Sequence, residues 1–222
     1  MASELLPCVE VEPATPANAA VIWLHGLGAD GHDFEPIVPH LGIESPHAVR
    51  FVFPHAPSIP VTINNGYVMP AWYDILELDL ERKMDETQLR ASAAAVAKLI
   101  QREVERGIAA EKIIVAGFSQ GGAVGFELAL SYPERLAGLI AISTYFATKN
   151  SIETSDANAD LPILICHGLH DPVVAEQFGQ ESFRLVSEMG YPAEYKTYPV
   201  EHGVDLQEIL EIGAWINRVL SA

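Results

Sequence analysis

Ile113-Ile114-Val115-Ala116-Gly117-Phe118-Ser119-Gln120-Gly121-Gly122 decides how this chain folds. Four apolar residues, β-branched at three positions, run into glycine, and Ser119 has a glycine two positions to either side. A helical pattern then begins through Ala123, Val124, Glu127, Leu128 and Leu130. A strand followed at once by a helix leaves no room for a relaxed turn. The serine between them therefore takes strained backbone angles, and only small residues two positions to either side avoid a clash. That is the G-x-S-x-G turn in the context it requires, with the Ser119 hydroxyl lifted above a sheet and the next helix aiming its N-terminal N–H groups at the same point.

The same alternation extends both ways. Short apolar runs at Ala20–Leu24, Val49–Phe53, Ile113–Gly117, Leu139–Ser143, Ile163–Gly168 and Ala193–Tyr198 are mostly apolar on both faces, as strands covered by helices on each side are. Between and after them lie helical patterns. Over 85–106, Leu89, Ala93, Val96, Ala97, Ile100 and Val104 recur at spacings of three and four. Asp85 with Gln88 forms a capping box, and Gly107 a stop. Over 206–220 the repeating positions are Leu206, Ile209, Leu210, Gly213, Ile216 and Leu220. The pattern predicts an α/β fold with a mainly parallel central sheet, right-handed crossovers and helices on both faces. Cys8–Val11 is expected to add an antiparallel edge strand. Residues 54–80, with four prolines and Asn64-Asn65-Gly66, lack a period of their own and are expected to form a lid or substrate loop. Residues 144–161 form a polar excursion. No linker or repeat divides the chain, so one domain over 1–222 is expected.

Composition narrows the partners. Among 222 residues, thirty acidic and thirteen basic side chains leave a net charge of −17. Such a surface repels phosphate backbones and anionic membranes, so nucleic acid is not an expected partner. No apolar run approaches the ~20 residues that span a bilayer, so no stable membrane insertion is expected. Two cysteines, Cys8 and Cys166, make no disulfide framework, and the N-terminus has neither the basic nor the apolar region of a signal peptide. The chain is expected to be cytoplasmic.

A serine needs a base to take its proton and a group to orient that base. His202 lies just after the last expected strand and before the last helix, in a loop that emerges at the carboxyl edge of a parallel sheet, where the serine also lies. Asp171 follows Ile163–Gly168 in the same kind of loop. Asp156 and Asp160 belong to the polar excursion, and Asp205 is too near His202 in sequence to reach it across a site. His32, His40, His47 and His55 are assigned to surface or packing. His167 and His170 beside Asp171 resemble a metal set only in composition, so no metal is expected. Cys166, within a strand, is an apolar filler. Donors for an oxyanion are expected from the Gln120 backbone N–H and from His25-Gly26-Leu27-Gly28, with Leu27 as the second donor. Ile63, Met69, Trp72 and Val173 are candidates for lining an acyl groove, although Met and Trp fill cores as readily.

His25-Gly26-Leu27-Gly28, Gly117-Phe118-Ser119-Gln120-Gly121-Gly122, Asp171-Pro172-Val173-Val174 and His202 together resemble the phospholipase/carboxylesterase family of the α/β-hydrolase superfamily. That family contains small bacterial carboxylesterases and acyl-protein thioesterases. Pro60-Val61-Thr62-Ile63-Asn64, Met69-Pro70-Ala71-Trp72-Tyr73-Asp74 and Ile212-Gly213-Ala214-Trp215 are most similar to the bacterial carboxylesterase branch. The resemblance implies a cofactor-free serine esterase of short- to medium-chain carboxylic esters that acts through an acyl-enzyme and forms a homodimer. Acyl-protein thioesterase or lysophospholipase is the alternative, and a non-catalytic binding protein on the same fold a remote one. Where members often have Gly before the histidine, this chain has Glu201.

Overall fold

The computed structural model describes residues 5–77 and 83–222. Its strands and helices are β1 (Cys8–Val11), β2 (Ala19–Leu24), β3 (Val49–Pro54), β4 (Ser58–Val61), β5 (Tyr67–Pro70), α1 (Glu86–Glu105), β6 (Ile113–Phe118), α2 (Gln120–Ser131), β7 (Gly138–Ile142), β8 (Ile163–Gly168), α3 (Glu176–Glu188), β9 (Ala193–Tyr198) and α4 (Leu206–Leu220). Seven strands form one sheet in the order β1-β3-β2-β6-β7-β8-β9. The expected edge strand β1 runs antiparallel to β3, and every other pairing in that sheet is parallel.

Alternation of side chains along each strand divides the core. In β6, Ile113 and Val115 pack with Leu89, Val96 and Ile100 of α1, with α2 and with Val186 of α3. Ile114 and Ala116 face the other way, toward Ile209, Ile212, Trp215 and Ile216 of α4. Both faces of the central strands are thus covered, which is why their sequences are apolar throughout. The register places the carboxyl ends of β2, β6, β7, β8 and β9 along one edge. Trp23 lies opposite Ala116, Gly117 opposite Ala141, Ile142 opposite Cys166 and Gly168 opposite Tyr198. The four loops that carry Leu27, Ser119, Asp171 and His202 leave from that edge.

Local expectations meet tertiary forces in three places. The Asp85 carboxylate caps α1 by accepting from Gln88 N at 2.9 Å, but the reciprocal half of the box is absent. Gln88 Oε1 instead accepts from Asp74 N at 2.8 Å, and Asp85 N donates to Asp74 O, so the helix start is tied to the segment before it. In α4 the expected apolar face is rotated. Leu206 and Leu210 are exposed, while Ile212 and Trp215 are buried with Ile209, Gly213 and Ile216. The rotation lets Gly213 lie flat against the Leu41 carbonyl, where a Cβ has no room. The 54–80 segment is not a structureless lid. Within its described part, β4 and β5 pair antiparallel, Ile59 opposite Met69, around a turn in which Asn65 (φ 55°) and Gly66 (φ 73°) occupy the left-handed region. Prolines at 60 and 70 mask the strand pattern, but Asn-Gly is a strong hairpin signal. Residues 78–80 of that expected lid lie outside the described residues.

One buried acid has a measurable consequence. Glu208, in the first turn of α4, is fully buried, and neither carboxylate oxygen has a hydrogen-bond partner among the described residues. Burial, reinforced by the charges of Asp205 and Glu211, pushes its carboxyl up to about 8. Because the folded value lies above the unfolded one of 4.5, the folded chain holds a proton that the unfolded chain releases between pH 4.5 and 8. Stability is therefore full below that window and declines as pH rises through it. Glu208→Gln removes the charge, so denaturant melts should show the variant gaining on the wild type from pH 5 to 8 by about 3–5 kcal/mol, then levelling off. Parallel pH profiles would show that Glu208 is ionised and solvated in the fold.

Candidate active site

Ser119 sits where β6 ends and α2 begins, with φ 53° and ψ −120°, an angle pair that L-residues hold only under constraint. Its N–H donates to Ile142 O at 2.8 Å, and its carbonyl accepts from Thr144 Oγ1 at 2.6 Å, so β7 and the segment after it fix both sides of the serine peptide. The two glycines of the turn answer to close approach. A Cβ on Gly117 would run into the Gly121 carbonyl, and one on Gly121 would stand 2.6 Å from the carbonyl oxygens of Leu24 and His25. The elbow is thus packed against the end of β2.

The loops after β8 and β9 bring their residues to the same point. Ser119 Oγ lies 3.0 Å from His202 Nε2, and His202 Nδ1 lies 2.7 Å from Asp171 Oδ2. Since a carboxylate only accepts, Nδ1 carries the ring proton and Nε2 presents a lone pair to the serine hydroxyl. The other Asp171 oxygen accepts from Val173 N and Val174 N, each at 2.8 Å. Burial pushes the Asp171 carboxyl up, yet the hydrogen bonds from His202, Val174 and Val173 outweigh it and hold the group below its ordinary value. The histidine ring also packs on Phe118, centroid to centroid 4.7 Å. Glu201 is exposed and forms no ion pair with its neighbour His202.

Gly26 stands against the elbow, where a Cβ on it would lie 3.4 Å from Ser119 Cβ, and Leu27 lines the same cavity as Ser119 and His202. Among the described residues, neither the Leu27 nor the Gln120 N–H has a protein acceptor. The Gln120 side chain has a separate task. Its Oε1 accepts from Trp72 N and its Nε2 donates to Tyr73 O, both at 2.7 Å, which ties the 72–73 backbone to the elbow.

These groups open into a cavity of about 760 Å³ lined by Ile63, Tyr73, Ile75, Tyr145, Val173 and Val204, and also by Phe34 and Ile37. Of the four expected lining residues, Ile63 and Val173 are there, but Trp72 and Met69 are not. Trp72 is almost fully buried, with Nε1 donating to His25 O at 2.9 Å, so it braces the loop after β2 from behind. Met69 lies on the hairpin, its sulfur accepting from Asn64 Nδ2 at 3.3 Å. Tyr73 and Tyr145, whose hydroxyls lie 3.2 Å apart, were missed. Tyr145 follows β7 at the carboxyl edge, so the rule that selected Asp171 and His202 also reaches it. Tyr73 has no such marker. His167 is buried and His170 exposed, and among the described residues no cluster of three His, Cys, Asp or Glu side chains suits a metal. Cys166 is buried, and burial raises its thiol well above the ordinary value.

The phospholipase/carboxylesterase family profile matches residues 7–220. Acyl-protein thioesterase 1 of Neurospora crassa is 39% identical over 214 residues, covering 91% of this chain and 87% of that protein. Acyl-protein thioesterase 1 of Cryptococcus neoformans is 36% identical, covering 96% and 97%. Among solved structures, Arabidopsis thaliana SOBER1 superposes with a TM-score of 0.85 at 31% identity, over 92% of this chain and 100% of that one. No helix among the described residues is long and apolar enough to cross a membrane.

Proposed function

The chain belongs to the phospholipase/carboxylesterase family of α/β-hydrolases, and from that premise we propose that it is a serine carboxylesterase acting on short- to medium-chain carboxylic esters. The observation that carries this reading is the continuous chain of contacts from Asp171 through His202 to Ser119, with Ser119 and His202 both lining a mainly apolar cavity. Ser119 attacks the ester carbonyl while His202 Nε2 takes its proton, and Asp171 stabilises the imidazolium that results. The Leu27 and Gln120 N–H groups hold the oxyanion. The protonated histidine then gives its proton to the departing alcohol. Water enters, passes a proton to His202 and releases the acid, returning Ser119. Ile63, Ile75 and Val173 favour an aliphatic acyl group over a charged one.

The names of the curated relatives favour a second reading, hydrolysis of a thioester on a lipidated protein. The same nucleophile, base and oxyanion donors serve both, and only the leaving group differs. Comparing kcat/KM for p-nitrophenyl butyrate and octanoate, an octanoyl thioester and a lysophosphatidylcholine separates them. We expect the simple esters to lead by tenfold or more, with a burst of nitrophenol equal to the enzyme concentration. A lead by the thioester would replace the first reading with the second, and a lead by the lysolipid would replace it with lysophospholipase activity.

A further inference from the structure

To serve as an oxyanion donor, the Leu27 N–H must point into the site. A glycine-flanked peptide can lie either way round, and in the wrong orientation it presents a carbonyl to the oxyanion. The neighbouring His25 is buried, and its two ring nitrogens have different partners. Nδ1 lies 2.7 Å from the carbonyl oxygen of Gly26, and Nε2 lies 3.0 Å from the backbone N of Ala56. A carbonyl only accepts and an amide N–H only donates, so the proton must be on Nδ1 and the lone pair on Nε2. Burial, which lowers the basicity of the ring, keeps it in that neutral form.

The Gly26 carbonyl and the Leu27 N–H belong to one planar trans peptide and point in opposite directions. With the carbonyl held by His25, the N–H is directed away from the ring. On the other side of Gly26 stands the elbow, since a Cβ there would meet Phe118 at 3.1 Å and Ser119 at 3.4 Å. We propose that His25 is the positioning residue of the oxyanion site, its Nδ1–H fixing the Gly26–Leu27 peptide so that the Leu27 N–H faces the reacting carbonyl. A second donor, Ala29 N, reaches the same carbonyl at a longer 3.3 Å. The ring itself is held by Ala56 behind it and by Trp72, which packs 5.1 Å away and donates to the His25 carbonyl. This inference rests on the Leu27 N–H being an oxyanion donor, as in the function proposed above.

Two substitutions split the roles of the ring. An asparagine amide reaches the position of Nδ1 and can donate to Gly26 O. A glutamine amide reaches that of Nε2 and can accept from Ala56 N but leaves the Gly26 carbonyl with only the longer bond from Ala29 N. His25→Asn should keep kcat for p-nitrophenyl butyrate within about tenfold of wild type. His25→Gln should lose roughly 10²-fold in kcat with KM changed less than threefold, in line with the loss of one oxyanion donor. Affinity for an alkyl boronic acid, whose adduct with Ser119 carries an oxyanion, should fall in the same order. A ring that serves only as a strut for Ala56 gives the reverse ranking, which overturns the proposal. Should either variant unfold in a thermal melt, ring ¹⁵N shifts of the wild-type protein decide the matter, because an Nε2-protonated His25 excludes the arrangement. If Ser119→Ala keeps its activity, the underlying site reading fails. If that variant is inactive and the ranking is reversed, only the role of His25 falls.

Discussion

Ser119→Ala is expected to lower kcat for p-nitrophenyl butyrate by roughly 10⁵–10⁶-fold and to abolish labelling by an alkyl fluorophosphonate. The proposed mechanism has one nucleophile, and neither cysteine is placed to replace it. Cys166 is buried within β8, and Cys8 lies on the distant edge strand β1. Residual turnover should come only from donors that polarise the carbonyl for direct attack by water. The substitution leaves the fold nearly untouched. Ile142 O, Thr144 Oγ1 and the glycines hold the backbone of the elbow, so an alanine there inherits the same strained angles. The thermal melt should therefore shift by only a few degrees. More than about one per cent of wild-type turnover in a folded variant would remove Ser119 from the mechanism.

A fall of about 10⁴-fold in kcat at neutral pH is expected for Asp171→Asn, for a reason visible in the hydrogen bonds. One carboxylate oxygen accepts from the Val173 and Val174 N–H groups, so the carbonyl of the introduced amide must occupy that place. Its NH₂ then faces His202 Nδ1, where the wild-type oxygen stands at 2.7 Å. Two donors cannot face each other, so the ring proton moves to Nε2 and points at Ser119 instead of leaving a lone pair there. The histidine stays in place with the wrong tautomer. Stopped-flow kinetics give the loss of acylation rate, and ring ¹⁵N shifts give the tautomer. A variant that keeps a tenth of wild-type kcat would show that Asp171 does not orient the base.

Much of the fold was legible because its determinants are local. The β6 run, the elbow and the start of α2 are specified by ten consecutive residues, and β8 and β9 begin and end at the residues expected for them, although β9 carries Glu194, Lys196 and Thr197 and is only partly buried. The three candidate residues of the triad were legible for a related reason. In a parallel sheet every strand's carboxyl end reaches the same edge, so a polar residue just past an apolar run is already placed in the right layer. The hairpin over 58–70 was obscured because its prolines suppress the usual strand composition, and the rotated face of α4 because Leu206 and Leu210 continue an apolar period that packing does not use.

The sequence by itself determined that this chain is an α/β fold with a serine elbow and which loops share its edge, since both follow from residue size and periodicity over short spans. Tertiary structure alone decided which side chains face the cavity, that Trp72 braces and Tyr145 lines, that Gln120 ties two loops together, and that Glu208 is buried without a partner. It also decided which way the Gly26–Leu27 peptide lies. Those outcomes depend on contacts between residues 31 to 83 positions apart, such as His25 with Ala56 and His202 with Ser119. Strand register and packing set such distances, and no local pattern encodes them.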